Sequence, residues 1–167
     1  MPRLPLQSVC DYKCATEIAI KKRTIEGKKA LHQQKRELKA AKDKIKPLGF
    51  FKAKAQAALN KWIVHVRDKG LGCVSCGKMN VTMQGGHYLA RSIRGELALT
   101  PENIHAQCIH CNLFNKNAHH AYRVELIKRI GLERVEWLES PHEPAKWSKQ
   151  DLLDIEAEYK LKLKGLK

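Results

Sequence analysis

The chain is short of acidic residues, of aromatics and of long apolar runs, and each shortage removes a class of protein. Aspartate and glutamate number 17 against 32 lysines and arginines, a formal charge of +15. Such an excess excludes a basic partner and favours a polyanion, either nucleic acid or an anionic membrane surface. Only 6% of the 167 residues are aromatic and 43% are hydrophobic, enough for one modest core with extensions but not for two large domains. No apolar stretch reaches the length that crosses a bilayer. The N-terminal Met1-Pro2-Arg3-Leu4-Pro5-Leu6 also lacks the apolar segment of a secretory signal. The expected location is therefore a reducing cytoplasm, where the six cysteines stay available to metal; paired disulfides are the alternative.

The charge is concentrated. From Lys21 to Lys54 thirteen basic residues stand against three acidic ones, which puts ten of the fifteen net charges in this stretch. Residues 16–46 read as one long polar helix ended by Pro47-Leu48-Gly49. Leu31, Leu38 and Ile45 recur on it at seven-residue spacing with little else to bury. That stripe suits a coiled-coil dimer, or a helix that orders only on DNA, while a solvated face is the plain alternative. Lys21, Lys22, Arg23, Lys28, Lys29, Lys35 and Arg36 are the candidate contacts to a DNA backbone. A membrane surface fits less well, because the helix lacks the broad Trp/Phe/Leu face of interfacial helices.

A second helix is predicted over residues 51–67, where Phe51, Ala55, Ala58, Leu59, Trp62, Ile63 and Val66 share one face, with Gly70 and Gly72 stopping it. A third covers 112–130, its core side made by Tyr122, Leu126, Ile127 and Ile130. A last helix follows Pro141 and Pro144, capped by Ser148 with Asp151 three residues on. Between the second and third, short strands at 81–83 and 87–89 flank Gly85-Gly86, and an extended piece runs from Pro101 to Cys108. The expected fold is α+β and mostly helical. It divides into a basic arm (1–50), a small core with its packing helix (51–131) and a C-terminal helical extension (132–167).

Cys73/Cys76 and Cys108/Cys111 form two Cys-x-x-Cys knuckles. Each supplies two soft ligands from one tight turn, and together they suit tetrahedral zinc. The zinc is expected to be structural, because four thiolates leave no position open to water. His87 and Asn103 fall between the knuckles and Asn112 follows the last cysteine; a hairpin followed by a helix brings all three to one cleft. Arg91 and Arg94, in the loop after His87, have the fork geometry that grips a phosphodiester, with ordinary loop charges as the alternative. His105, on the strand face of Asn103, either lines the cleft or braces the hairpin. His119 and His120 are expected on an exposed flank, and His32, His65 and His142 at the surface.

Over residues 73–116 this constellation resembles the HNH, or ββα-metal, endonucleases, in the variant braced by two cysteine knuckles as in the endonuclease VII type of phage resolvase. A longer likeness joins Cys73-Val74-Ser75-Cys76, Gly86-His87-Tyr88, Asn103-Ile104-His105-Ala106-Gln107-Cys108, Cys111-Asn112 and the run from Tyr122 to Gly131. In these the chain resembles the NinG family of lambdoid phages, also called Rap. The resemblance implies a ββα-metal core and structure-specific cleavage of branched DNA, such as Holliday junctions and displacement loops, during phage recombination in a bacterial host. It implies His87 as general base, Asn103 as the residue orienting it, and Asn112 as ligand to a single Mg²⁺ or Mn²⁺. Selective cutting of a branch needs two such centres, hence a homodimer.

Two departures qualify the resemblance. Family members tend to carry Asp three residues before the His, and this chain has Gln84 there. Metal binding is then weak, or Glu102 or His110 substitutes, or the protein is a non-catalytic zinc-braced DNA-binding module. At the N-terminus only Cys10 and Cys14 remain of the two pairs that a second zinc ribbon needs.

Overall fold

A computed structural model describes residues 11–115 and 117–165; Cys10, half of the N-terminal pair, lies outside them. The chain divides into two compact units, one ending at Lys46 and the other spanning Pro47–Lys167.

Among the described residues the first unit holds one helix, α1 (Tyr12–Ile45). It starts earlier than the expected 16 because Asp11 caps it, its carboxylate accepting from Cys14 N at 2.8 Å and satisfying one of the orphan amides of the first turn. No residue of α1 is buried. Lys21, Lys22, Arg23, Lys28, Lys29, Lys35 and Arg36 are all exposed, as are Leu31 and Leu38 at about half their surface. Local pairs such as Gln33 Nε2 to Glu37 Oε1 at 2.7 Å support it.

In the second unit, α2 (Leu48–Trp62) begins after Pro47 and passes directly into a π-helical turn, Ile63–Arg67. Phe51, Ala55, Leu59 and Ile63 form the predicted apolar face, buried against Leu152 and Tyr159 of α5 (Lys149–Lys164). Trp62 meets the Tyr159 ring at 5.1 Å. Ser148 and Asp151 make the expected capping box at the start of α5. This helix thus shares the core of α2, and the parts read as 51–131 and 132–167 lie in one unit.

The π-helical turn delivers Arg67 and Asp68 to the sheet. Asp68, buried, accepts from Arg67 Nε at 2.7 Å and from Ala106 N at 2.8 Å. Burial alone would raise the Asp68 pKa; the Arg67 guanidinium and the Ala106 amide reverse this and hold it below its ordinary value. Arg67 also donates to Pro101 O at 2.7 Å and Ile104 O at 2.5 Å, fixing the start of the second strand.

Among the described residues the sheet is a single antiparallel pair, β1 (Met83–His87) and β2 (Ile104–Cys108), in register from Met83 opposite Cys108 to His87 opposite Ile104. This corrects the expected strands. Gly85 and Gly86 lie inside β1 and not at a turn between strands 81–83 and 87–89. They are required by close approach: a Cβ on Gly85 would sit 2.7 Å from Asn60 Cγ, and one on Gly86 would collide with Gln107 Oε1.

After β2 the chain makes a second π-helical turn, His110–Phe114, before α3 (Ala118–Ile130). The helix expected from 112 therefore starts at Ala118, and Asn112 belongs to the turn. Gly131, at φ 84°, redirects the chain into α4 (Leu132–Glu139), a helix that the sequence did not suggest. Val135 and Leu138 of α4 close a second core with Tyr88, Leu97, Tyr122 and Leu126. The architecture is α+β and mostly helical, and no described helix is long and apolar enough to cross a membrane.

Candidate active site and metal centre

The four predicted cysteines converge. The Sγ atoms of Cys73, Cys76, Cys108 and Cys111 all lie within 4.8 Å of one another, and Cys76 Sγ is 3.9 Å from Cys108 Sγ. Tetrahedral zinc with Zn–S bonds of about 2.3 Å spaces its sulfurs about 3.8 Å apart, so the cluster has the dimensions of such a site. Backbone amides turn toward the sulfurs: Cys108 N donates to Cys73 Sγ at 3.3 Å and Cys111 N to Cys108 Sγ at 3.5 Å. Burial works against the Cys73 thiolate, but the amides of Cys108, Cys76 and Ser75 bring that thiol down to about 7. The Cys111 thiol is held high by burial and by its sulfur neighbours. A dication at the centre relieves that crowding of negative charge. These four residues can hold a metal such as zinc and leave no ligand position for chemistry.

Met83, packed against the cysteine cluster, opens β1, and His87 closes it. The His87 ring is half-buried, with Nε2 3.1 Å from Ala98 O. A carbonyl can only accept, so Nε2 carries the hydrogen and Nδ1 keeps its lone pair. Burial, assisted by the Arg91 charge, lowers the His87 pKa despite the Ala98 hydrogen bond. The ring is thus neutral at neutral pH, with a basic nitrogen available.

Two adjoining hollows of about 450 and 530 Å³ form a cleft beside β1; both are lined by Asn60, Gly85, Arg91, Asn112 and Leu113, the larger also by His87 and the other by Gln84 and His65. Asn112 Nδ2 donates to Gln84 Oε1 at 2.8 Å, which leaves Asn112 Oδ1 as the open oxygen of the pair. No acidic residue lines either hollow. Neither expected substitute for a carboxylate is there: Glu102 pairs with Arg134 at 3.3 Å, and His110 lines a different hollow beside the cysteines.

Asn103 fixes the hairpin loop, as the resemblance implies, but does not share the cleft with His87. It is fully buried and makes no hydrogen bond to His87. Its Nδ2 donates to Leu89 O at 3.1 Å and Leu97 O at 3.2 Å, and its Oδ1 accepts from Leu89 N at 2.8 Å. It therefore clamps both ends of the loop between the strands, and through Leu97 it fixes the neighbouring Ala98 carbonyl that holds His87. With no exposed surface, the Asn103 side chain does not reach the cleft. Arg94 is also corrected: its guanidinium donates to Glu96 at 2.5 Å and Ser140 O at 2.6 Å, pinning the loop to the end of α4. Arg91, by contrast, is exposed and lines the cleft.

His105 is buried, with its Nδ1 3.5 Å from Tyr122 Oη, so it braces the sheet and does not line the cleft. Tyr122 Oη donates in turn to Gly86 O at 2.9 Å. His119 stacks on Tyr88 at 4.7 Å. Polar cleft residues not foreseen from sequence include Asn60 and Lys61 on α2 and His65 on the π-helical turn that follows it. The signal for Asn60 was Gly85, a strand glycine that marks an approaching side chain.

The family profile described as "Bacteriophage Lambda NinG protein" matches residues 1–167. The chain belongs to the NinG family. It is 36% identical to Protein ninG of Escherichia phage lambda over 178 aligned residues, covering 99% of this chain and 87% of the relative. Protein ninG of Salmonella phage P22 is 35% identical over the same shares, and that of Escherichia phage 933W is 34% identical, with 88% of the relative covered. No solved structure matches this NinG-family chain.

Proposed function

We propose that this chain is a divalent-metal-dependent endonuclease of the HNH type that cuts branched DNA, Holliday junctions and displacement loops included, in phage recombination within the host cell. The observation that carries the reading is His87. It is a neutral imidazole, tethered through Nε2 to a backbone carbonyl, at the edge of a cleft whose other functional groups are Asn112, Gln84 and Arg91.

In this reading His87 Nδ1 takes a proton from a water in the cleft as the water oxygen attacks phosphorus. The P–O3′ bond breaks, and the departing 3′ oxygen is protonated from solvent. Arg91 holds the phosphate by charge-assisted hydrogen bonds. Asn112 Oδ1, the oxygen not engaged in the bond to Gln84, is the group that would hold Mg²⁺ or Mn²⁺; the cation would supply Lewis-acid stabilisation of developing charge on the phosphate. The zinc-binding cysteines keep β1 and the Asn112 turn together. A homodimer would set two such clefts against two strands.

A second reading has one observation in its favour. The absence of any acidic residue from the cleft suits a DNA-binding module that does not cut. Incubation with a four-way junction, a flap and plain duplex, with Mg²⁺ or Mn²⁺ and then EDTA, separates the two: metal-dependent nicks at the branch are expected, and an uncut set of all three substrates sinks the nuclease.

The basic helix α1 supplies affinity without sequence information. Deleting residues 21–46, which carry eleven of the lysines and arginines, should weaken binding to all three DNAs alike. The slope of log Kd against log salt should fall by roughly one unit for each phosphate that the helix neutralises. An unchanged slope, measured by fluorescence anisotropy, would show that α1 does not touch DNA.

A further inference from the structure

We infer that Asn60, which α2 contributes from outside the cysteine-bracketed segment, is a phosphodiester-binding residue whose Nδ2 donates to a non-bridging oxygen of the strand lying in the cleft. The inference deepens the reading of the cleft as a DNA site and rests on it. Three observations support it. Asn60 lines both hollows, sharing one with His87 and the other with Gln84. Its amide is oriented: Gln56, buried one helical turn earlier, donates Nε2 to Asn60 Oδ1 at 2.9 Å. And β1 makes room for it, because Gly85 brings its backbone to where any Cβ would lie 2.8 Å from Asn60 Oδ1.

The consequence is chemical. With Oδ1 directed at Gln56 and covered by Gly85, the group left for the cleft is the NH₂, which donates and cannot ligate a cation. A neutral donor there complements a phosphate oxygen, on a wall whose lining holds no acidic residue to repel the strand. A buried glutamine spent on orienting a half-buried asparagine is a support expected for a binding group, whose geometry must be held before the ligand arrives.

The test uses the full zinc-loaded chain, a fluorescein-labelled four-way junction, and the variants Asn60→Ala and Asn60→Asp. The thermal midpoint should match the parent for Asn60→Asp, which keeps an acceptor for the buried Gln56 amide, and drop by a few degrees for Asn60→Ala, which removes it, so affinities are compared at a temperature where all three are folded. Junction affinity should fall about tenfold for Asn60→Ala, the effect of one hydrogen bond to a charged oxygen. It should fall further for Asn60→Asp, most strongly at low salt, where an added negative charge repels the phosphate. Parental affinity for Asn60→Ala overturns the inference. Parental affinity or faster cutting by Asn60→Asp also overturns it, by making the position a cation ligand. The inference and the nuclease reading fail separately: weaker binding by Asn60→Ala in a chain that never cuts leaves Asn60 in place and removes the enzyme. A cutting chain indifferent to Asn60→Ala does the reverse, and a parent that binds no junction removes both.

Discussion

Stripping the metal, or replacing Cys73 by Ser, is expected to unfold the Pro47–Lys167 unit around the sheet while leaving α1 helical. The sheet has two strands of five residues each, and an isolated antiparallel pair is marginal in water. One end of it is fastened by the cysteines: Cys108 is the last residue of β2, and Met83 opposite it packs on the same cluster. Structural zinc in small modules contributes on the order of 10 kcal/mol, comparable to the whole stability of a domain this size. The thermal midpoint of the unit should fall by at least about 15 °C when zinc is removed. Circular dichroism with and without a strong chelator, alongside a colorimetric zinc assay, measures this. Release of one zinc per chain with an unmoved melting curve would show that the cysteines hold nothing up.

His87→Ala should abolish cutting without loosening the DNA. General base catalysis contributes roughly 10²- to 10⁴-fold, so single-turnover cleavage should drop by that factor while junction affinity stays within about twofold. The pH profile of cleavage by the parent protein gives an independent check. A protonated imidazole cannot accept a proton, so the rate must fall as pH falls through the His87 pKa. Burial and Arg91 place that pKa below its ordinary 6.5, so the rate should already be flat between about pH 7 and 8 and decline only at lower pH. A rising limb centred above pH 7, or a variant that cuts like the parent, would assign the base to another group.

Features that depend on neighbours in sequence were legible beforehand. The apolar stripe of α2 and the capping box of α5 are read directly from spacing, as are the two cysteine pairs. The glycines of β1 were misread because Gly-Gly is a turn signal locally, and only the distant Asn60 and Gln107 side chains explain why a strand needs them. The late start of α3 has a similar origin, since a π-helical turn over His110–Phe114, which carries Cys111 to the sulfur cluster, precedes it. Arg94 looked like a phosphate contact because two of its three partners, Ser140 O and Glu139 O, are more than forty residues away, although the third, Glu96, is a near neighbour in sequence. Asn103 was expected beside His87 and instead acts through the Leu97–Ala98 backbone, a relay that no spacing encodes. The short helix α4, between a glycine and a proline, is held by Val135 and Leu138 in a core shared with Tyr88 and Tyr122.

In the proposed scheme two metals divide two tasks, thiolate-held zinc serving the scaffold and a hard cation beside Asn112 serving the phosphodiester. The direct test is to saturate the protein with zinc, dialyse it free of other divalent ions, and follow cleavage of a four-way junction before and after adding Mn²⁺. The expected result is a folded, DNA-binding protein that is silent until Mn²⁺ arrives and then cuts, with its zinc content unchanged. Cutting by the zinc form alone, or silence after Mn²⁺ and Mg²⁺ have both been supplied, would contradict that division.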